Sequence, residues 1–269
     1  MTVMTDPIFV TGLMTTPRPA RPAARPPQEC ALDAHALAEA VVGRRLSEPQ
    51  RADLDRFWRT DFSTHRLVLA DEADRGLAAT ALALGTPVIH GSGPGYALTF
   101  HPHPAVVRAV RCGLGRPDGW TPAVTTVRGR LLDLVDVEAL HPSPEEFLAG
   151  IDERLEHGPV ALTLPASALV PGHLTTRCDG VATVEVVVPG ASCPSAAFLA
   201  ASLERAGVAF LATTRPYATC ASTGRRGPVL DRVGELQKAF GRMRPGAVVL
   251  AHRSEWRARR RQAPLHEAG

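Results

Sequence analysis

From residue 64 onward, short apolar runs alternate with segments whose apolar positions recur at helical spacing. "HRLVLA" (65–70) reads as a strand, and "DEADRGLAATALALG" (71–85) as a helix with an acidic start and Gly85 at the stop position. "TPVIH" (86–90) is a strand and "HPAVVRAVRCGLG" (103–115) a helix. "AVTTV" (123–127) follows as a strand. "SPEEFLAGIDERLEHG" (143–158) is then a helix, with Ser143 capping and Pro144 in the first position. "PVALTL" and "VATVEVVV" are strands, "CPSAAFLAASLERAG" a helix, "VAFLATT" a strand, "GPVLDRVGELQKAFG" a helix and "GAVVLA" a closing strand. Strands separated by helices of this length predict one main α/β domain: a twisted, mixed, open sheet with flanking helices over residues 63–252.

Ahead of it, residues 31–62 read as a helical preface. Ser47 is an N-cap, Pro49 lies in the first turn, and Leu54, Phe57 and Trp58 share a face. Residues 1–30 include "TTPRPARPAARPPQ", a Pro/Ala/Arg tract with too few apolar side chains to bury, and are expected to be a disordered leader. Residues 253–269 form a basic tail, in which "RSEWRARRRQAP" (253–264) sets arginines at helical spacing around Trp256.

Composition narrows the classes. The chain has 269 residues and 45% apolar side chains, and no run of eighteen apolar residues that would cross a membrane. Five scattered cysteines without a CxxC pair point to a reducing cytosol, with no disulfide framework or zinc knuckle. A net charge of +3 does not by itself imply nucleic acid. Lys238 is the one lysine, so the arginine excess reads mainly as a GC-rich coding bias. The arginine clusters leave two readings, a solvated surface or contacts to RNA phosphates.

The candidate chemistry centres on "VIHGSGPGYALTF" (88–100). Glycines let backbone N–H groups turn together toward an anion. The Gly-Lys-Ser/Thr ending of a P-loop is missing, however, and Pro94 breaks the spacing of a dinucleotide fingerprint. By themselves residues 91–95 read as a structural turn. His90, His101 and His103 lie close in sequence, but no carboxylate or cysteine completes a metal set, so they read as ordinary polar histidines.

Five segments in order carry a resemblance: 88–98, 103–117, "HGPVALTLPAS" (157–167), "LTTRCDGVATVEVVVPG" (174–190) and "GVAFLATTRPYATCASTG" (207–224). Together they resemble the YrdC-like family, the threonylcarbamoyl-adenylate synthases of tRNA modification, over about residues 66–245. The family motifs run "PTDTVYGL", "K-x-R-P", "GPVTLVLPA", "VRVPDHP" and "STSAN-SG". The resemblance implies a cytoplasmic enzyme that joins ATP (with Mg), bicarbonate and a small amino acid such as threonine into a carbamoyl-adenylate. It implies Arg116 and Ser92 as catalytic residues. Ser92, Tyr96, Arg116, Thr213 and Thr214 would hold the nucleotide, and Arg215, which has no match in the family pattern, would restore part of the positive field beside them. This chain departs from the pattern at Leu114 for the lysine, Ala161 for a threonine, Glu185 for an arginine and Pro216 for the asparagine. Two classes therefore stand open: such an enzyme, or a non-catalytic nucleotide- or RNA-binding protein that kept the cavity.

Overall fold

The computed structural model describes residues 34–59, 67–92, 95–140, 143–190, 193–219, 226–230, 232–240 and 247–252. The leader and the basic tail lie outside them. The preface forms two helices, α1 (Ala34–Val42) and α2 (Glu48–Arg59). At the start of α2, Gln50 Oε1 accepts from the Ser47 amide at 3.0 Å, so the cap is closed by the glutamine.

The elements that follow are β1 (Leu67–Val68), α3 (Glu72–Ala83), β2 (Val88–Ser92), β3 (Gly95–Phe100), α4 (Pro104–Gly113), β4 (Ala123–Thr125), α5 (Pro144–Leu155), β5 (Val160–Pro165) and β6 (Thr176–Cys178). The chain continues through β7 (Val181–Val188), α6 (Pro194–Ala206), β8 (Leu211–Thr214), β9 (Tyr217–Thr219), β10 (Arg226–Val229), α7 (Val233–Phe240) and β11 (Val248–Ala251). Among the described residues nine strands form one mixed sheet, in the order β1-β11-β2-β3-β8-β4-β7-β5, with β6 also paired to β7. β11 runs parallel to β1 and β2, and β4 runs parallel to β7; the remaining pairs are antiparallel. The expected mixed open α/β sheet is what the chain forms.

Local chemistry explains the helix ends. Asp71 caps α3 through Asp74, and Ser143 and Glu146 form a reciprocal capping box on α5. α6 stops at Gly207, whose φ of 64° is the left-handed conformation that glycine adopts without strain. The apolar stripes then sort the helices. α3 and α6 cover one sheet face through Ala78, Leu82, Phe198 and Leu203. α1, α4, α5 and α7 cover the other through Leu37, Val106, Val110, Ile151, Leu236 and Phe240. Leu37 therefore makes the preface part of the main core.

Three segments depart from the sequence reading. "GYALTF" is the strand β3, which begins at the Gly95 that closes the expected turn at 91–95. "RGPV" is β10, paired with β9, so the final helix begins only at Val233. The stretch before "VATVEVVV" turns at Asp179 (φ 51°) and Gly180 (φ 83°), making β6 and β7 a two-residue hairpin. Cys112 is disulfide-bonded, which corrects the expectation of a chain without disulfides. Cys178 and Cys193 are free thiols. Among the described residues no helix is long and apolar enough to cross a membrane.

The hairpin yields a test. Gly180→Ala should destabilise the chain by about 1–2 kcal/mol, because a Cβ at positive φ is strained. Gly180→Asn should cost less, since asparagine tolerates that region. Chemical denaturation of both variants checks the order.

Candidate functional site

Strand directions bring the candidate loops to one end of the sheet. β2 ends there at Ser92, and the parallel β11 ends beside it. β3 starts there at Gly95, opposite Ser92. Antiparallel to β3, β8 ends there at Thr214, and β4 starts there opposite Thr213. α4 leaves the far end of β3 and returns the chain to this end, so Leu114, Gly115 and Arg116 fall in the connection into β4. Ser92, Tyr96, Arg116, Thr213, Thr214 and Arg215 thus share one end of the domain.

They do not share one face. Side chains alternate along a strand, so Ser92 and Thr213 lie on the α6 face with His90 and Thr99, while Tyr96 and Thr214 lie on the α4 face with Leu98. Tyr96 is buried, Ser92, Thr214 and Arg116 are half-buried, and Arg215 is exposed. Arg116 donates its backbone N–H to Arg111 O at 2.9 Å. Leu114, where the resemblance has lysine, is 2% exposed and packs in the apolar core.

The glycine-rich stretch is a hairpin. Ladder pairing continues through Gly91–Tyr96 to Ser92–Gly95, which commits these backbones to the sheet. What requires glycine at position 91 is His252, just past β11. A Cβ on Gly91 would meet the His252 ring at 2.2 Å from Cε1 and 2.3 Å from Nε2. The same imidazole donates from Nε2 to Gly95 O at 3.2 Å. Its backbone N–H reaches the Tyr96 hydroxyl at 3.2 Å, and the two rings meet edge to face at 5.2 Å. His252 was not among the sequence candidates. Its role comes from the parallel seating of β11 beside β2, which the local sequence does not announce.

On the α6 face a polar chain runs into the sheet. His90 is 1% exposed and stacks at a tilt on Phe198, with centroids 4.8 Å apart. Its Nδ1 is 3.1 Å from Gly91 O, an acceptor only, so the proton sits on Nδ1. Nε2 is then bare and accepts from the Thr99 hydroxyl at 2.8 Å. Thr99 Oγ1 lies 3.2 Å from Thr213 Oγ1, and Thr213 Oγ1 is also 3.4 Å from Leu98 O. With the Thr99 proton given to His90, Thr213 donates inward to either oxygen and keeps only lone pairs for anything else. Burial, opposed by the bond to Gly91 and aided by the neighbouring His252, lowers the His90 pKa to about 4.

Beyond α6 the same face is uncovered. Ala161 and Thr163 of β5 and Glu185 of β7 are exposed there, with Glu185 directly opposite Thr163. The positions where this chain departs from the resembled pattern by Ala161 and Glu185 therefore sit together on an open floor.

The loop histidines serve structure. His101 Nδ1 accepts from the His103 amide at 3.2 Å, and His103 caps α4 by accepting from Ala105 N at 3.3 Å. His173 Nε2 donates to Pro102 O at 3.0 Å. Among the described residues no group of three or more metal-ligating side chains converges. Burial, reinforced by His103, lowers His101 to about 4.

No protein-family model and no curated protein matches the chain. Solved structures do. A doubly substituted Sua5 from P. abyssi is 20% identical over 66% of this chain and 49% of that one, with a TM-score of 0.49. P. abyssi Sua5 complexed with L-threonine is 20% identical over 67% of this chain and 47% of its own, with a TM-score of 0.46. E. coli YciO is 15% identical over 68% of this chain and 78% of that one, also with a TM-score of 0.46. The chain spans about half the length of the two Sua5 structures.

Two tests follow from the geometry. Gly91→Ala must expel the His252 ring, at a cost of roughly 1–3 kcal/mol for overpacking; adding His252→Ala should recover most of it, read as urea midpoints. The second concerns acid. His90 and His101 bind protons more weakly folded than unfolded, so their contribution is complete above about pH 6.5 and is lost as pH falls toward 4. Each shift, from 6.5 to about 4, corresponds to roughly 3 kcal/mol. Thermal midpoints should fall steeply across that window, and His101→Gln should remove about half of the slope.

Proposed function

We propose that this chain is a divergent YrdC-like enzyme that forms a carbamoyl-adenylate from ATP, bicarbonate and an amino acid, threonine or a related one. The observation that carries the reading is the gathering of the resembled loops at one end of the sheet; Arg116 and Arg215 would supply the cations. In the reaction the amine attacks bicarbonate carbon and water leaves. A carbamate oxygen then attacks the α-phosphorus of ATP, and the bond to pyrophosphate breaks. Magnesium carried with ATP would share the phosphate charge. The chemistry asks little of protein acids and bases. It depends on holding three reactants in line and on guanidinium groups that meet charge as it develops on phosphate oxygens. The product would serve tRNA modification or a related pathway.

A second reading has its own observation. Leu114 is absorbed into the core, and Glu185 places a carboxylate on the open floor. A site without that cation and with that anion holds an ATP tetra-anion less well, which favours a non-catalytic binding protein on the same fold.

Release of pyrophosphate from ATP, bicarbonate and a panel of amino acids separates the two. Under the enzyme reading, release depends on one amino acid, and Arg116→Ala weakens ATP binding by about 1.5–3 kcal/mol, the range for a hydrogen bond to a charged group. Calorimetry that finds no nucleotide bound at millimolar concentration gives the result to the binding protein.

A further inference from the structure

The main sheet ends in two unlike edges. At β1 the backbone groups are met by side chains: Asp74 Oδ2 accepts from the Val68 amide at 2.8 Å, and just beyond the strand Arg75 donates to Leu69 O at 3.0 Å. β5 is the opposite edge. Its register on β7 is unbroken from Val160–Val188 to Pro165–Thr183, and one step further the Ala166 amide donates to Ala182 O at 2.9 Å. Opposed residues in an antiparallel pair alternate between exchanging both bonds and exchanging none. Val160, Leu162 and Leu164 therefore bond to β7, while Ala161, Thr163 and Pro165 turn their backbone groups outward. Pro165 O fits this phase, since it accepts from Asp136 N at 3.0 Å on the outer side. Among the described residues nothing bonds the outward groups of Ala161 and Thr163, and both residues are exposed.

The open stretch is complementary to itself. About Leu162, Ala161 matches Thr163, Val160 matches Leu164, and Pro159 matches Pro165. A second copy laid antiparallel, with a two-fold axis at Leu162, sets Ala161 of one copy against Thr163 of the other. Each such pair exchanges both backbone bonds. Pro159 then faces Pro165, and neither has an N–H, so the ladder ends without a stranded donor. On the core side Leu162 meets its own copy and Val160 meets Leu164. Val160 and Leu162 pack on the core yet stay half-buried, so they still have apolar surface to bury. A two-fold axis also brings the same patch of both copies together, so charge on the strand would repel itself. Val160–Pro165 carries none, and neither a lysine nor a bulge guards this edge.

We propose that the chain forms a two-fold dimer by antiparallel pairing of its β5 edges, which joins the two sheets into one. The pairing uses the strand edge and leaves the open face of Glu185 and Thr163 uncovered, so it holds whichever function that face serves.

Sedimentation equilibrium of the full chain, over a hundredfold range of concentration, tests this. The mass should climb from 28.6 kDa toward twice that value as concentration rises. Thr163→Pro removes an outward N–H and leaves the bonds to β7 in place. Ala161→Lys, at an exposed position, sets like charges beside the axis. Each should weaken the dimer at least tenfold while the dilute chain keeps its thermal midpoint. Hydrogen exchange reads the same pairing without a substitution. At high concentration the Ala161 and Thr163 amides should slow at least tenfold, while those of Leu162 and Leu164, already bonded to β7, change little. A chain that stays monomeric at every concentration, a dimer that survives both substitutions, or Ala161 and Thr163 amides that exchange equally fast in monomer and dimer overturns the proposal.

Discussion

The fold depends on β3 being paired on both edges. Its six residues join the β1-β11-β2 half of the sheet to the β8-β4-β7-β5 half, through Val88–Thr99 on one side and Phe100–Ala212 on the other. Leu98 and Phe100, both fully buried, bind it to the α4 layer. Full burial of such side chains contributes about 1.5–3 kcal/mol each. On its other face Thr99 is a buried hydroxyl, which must find partners or cost the desolvation of a polar group. It finds them in His90 and Thr213. A single residue thus links the two neighbouring strands by side chain as well as by backbone.

Much of this architecture was legible because it is local. Asp71, Ser143 with Glu146, Pro194 and Gly207 mark helix ends by chemistry that acts within a few residues. β7 was legible as an apolar run, and the Asp179-Gly180 pair before it supplies the positive φ values of a tight hairpin. β3 was hidden by its surroundings. Gly95 at its start and the histidines after it read as loop, while its pairing with both β2 and β8 is non-local. "RGPV" reads as the start of the final helix, whereas pairing with β9 makes it a strand.

The candidate site divides along the same line. The end of the sheet at which Ser92, Tyr96, Arg116 and Thr214 gather follows from element order, which the sequence records. Their division between two faces depends on strand register, which it does not. Gly91 is the clearest instance. As a sequence letter it suggested a turn or an anion cradle; in the fold it is small because His252, more than 150 positions away, lies across it.

The departures from the resembled motifs are physically consistent with one another. Leucine at position 114 suits a helix end that packs in the apolar core with Val110, where an ammonium would incur the desolvation of a buried charge. On the sheet the change runs the other way in sign: Glu185 is an exposed carboxylate where the resembled pattern has arginine, directly opposite Thr163 on the same face. A carboxylate at an open strand position repels a phosphate laid over it, so the floor of this fold favours a different ligand group from the one an arginine there would hold.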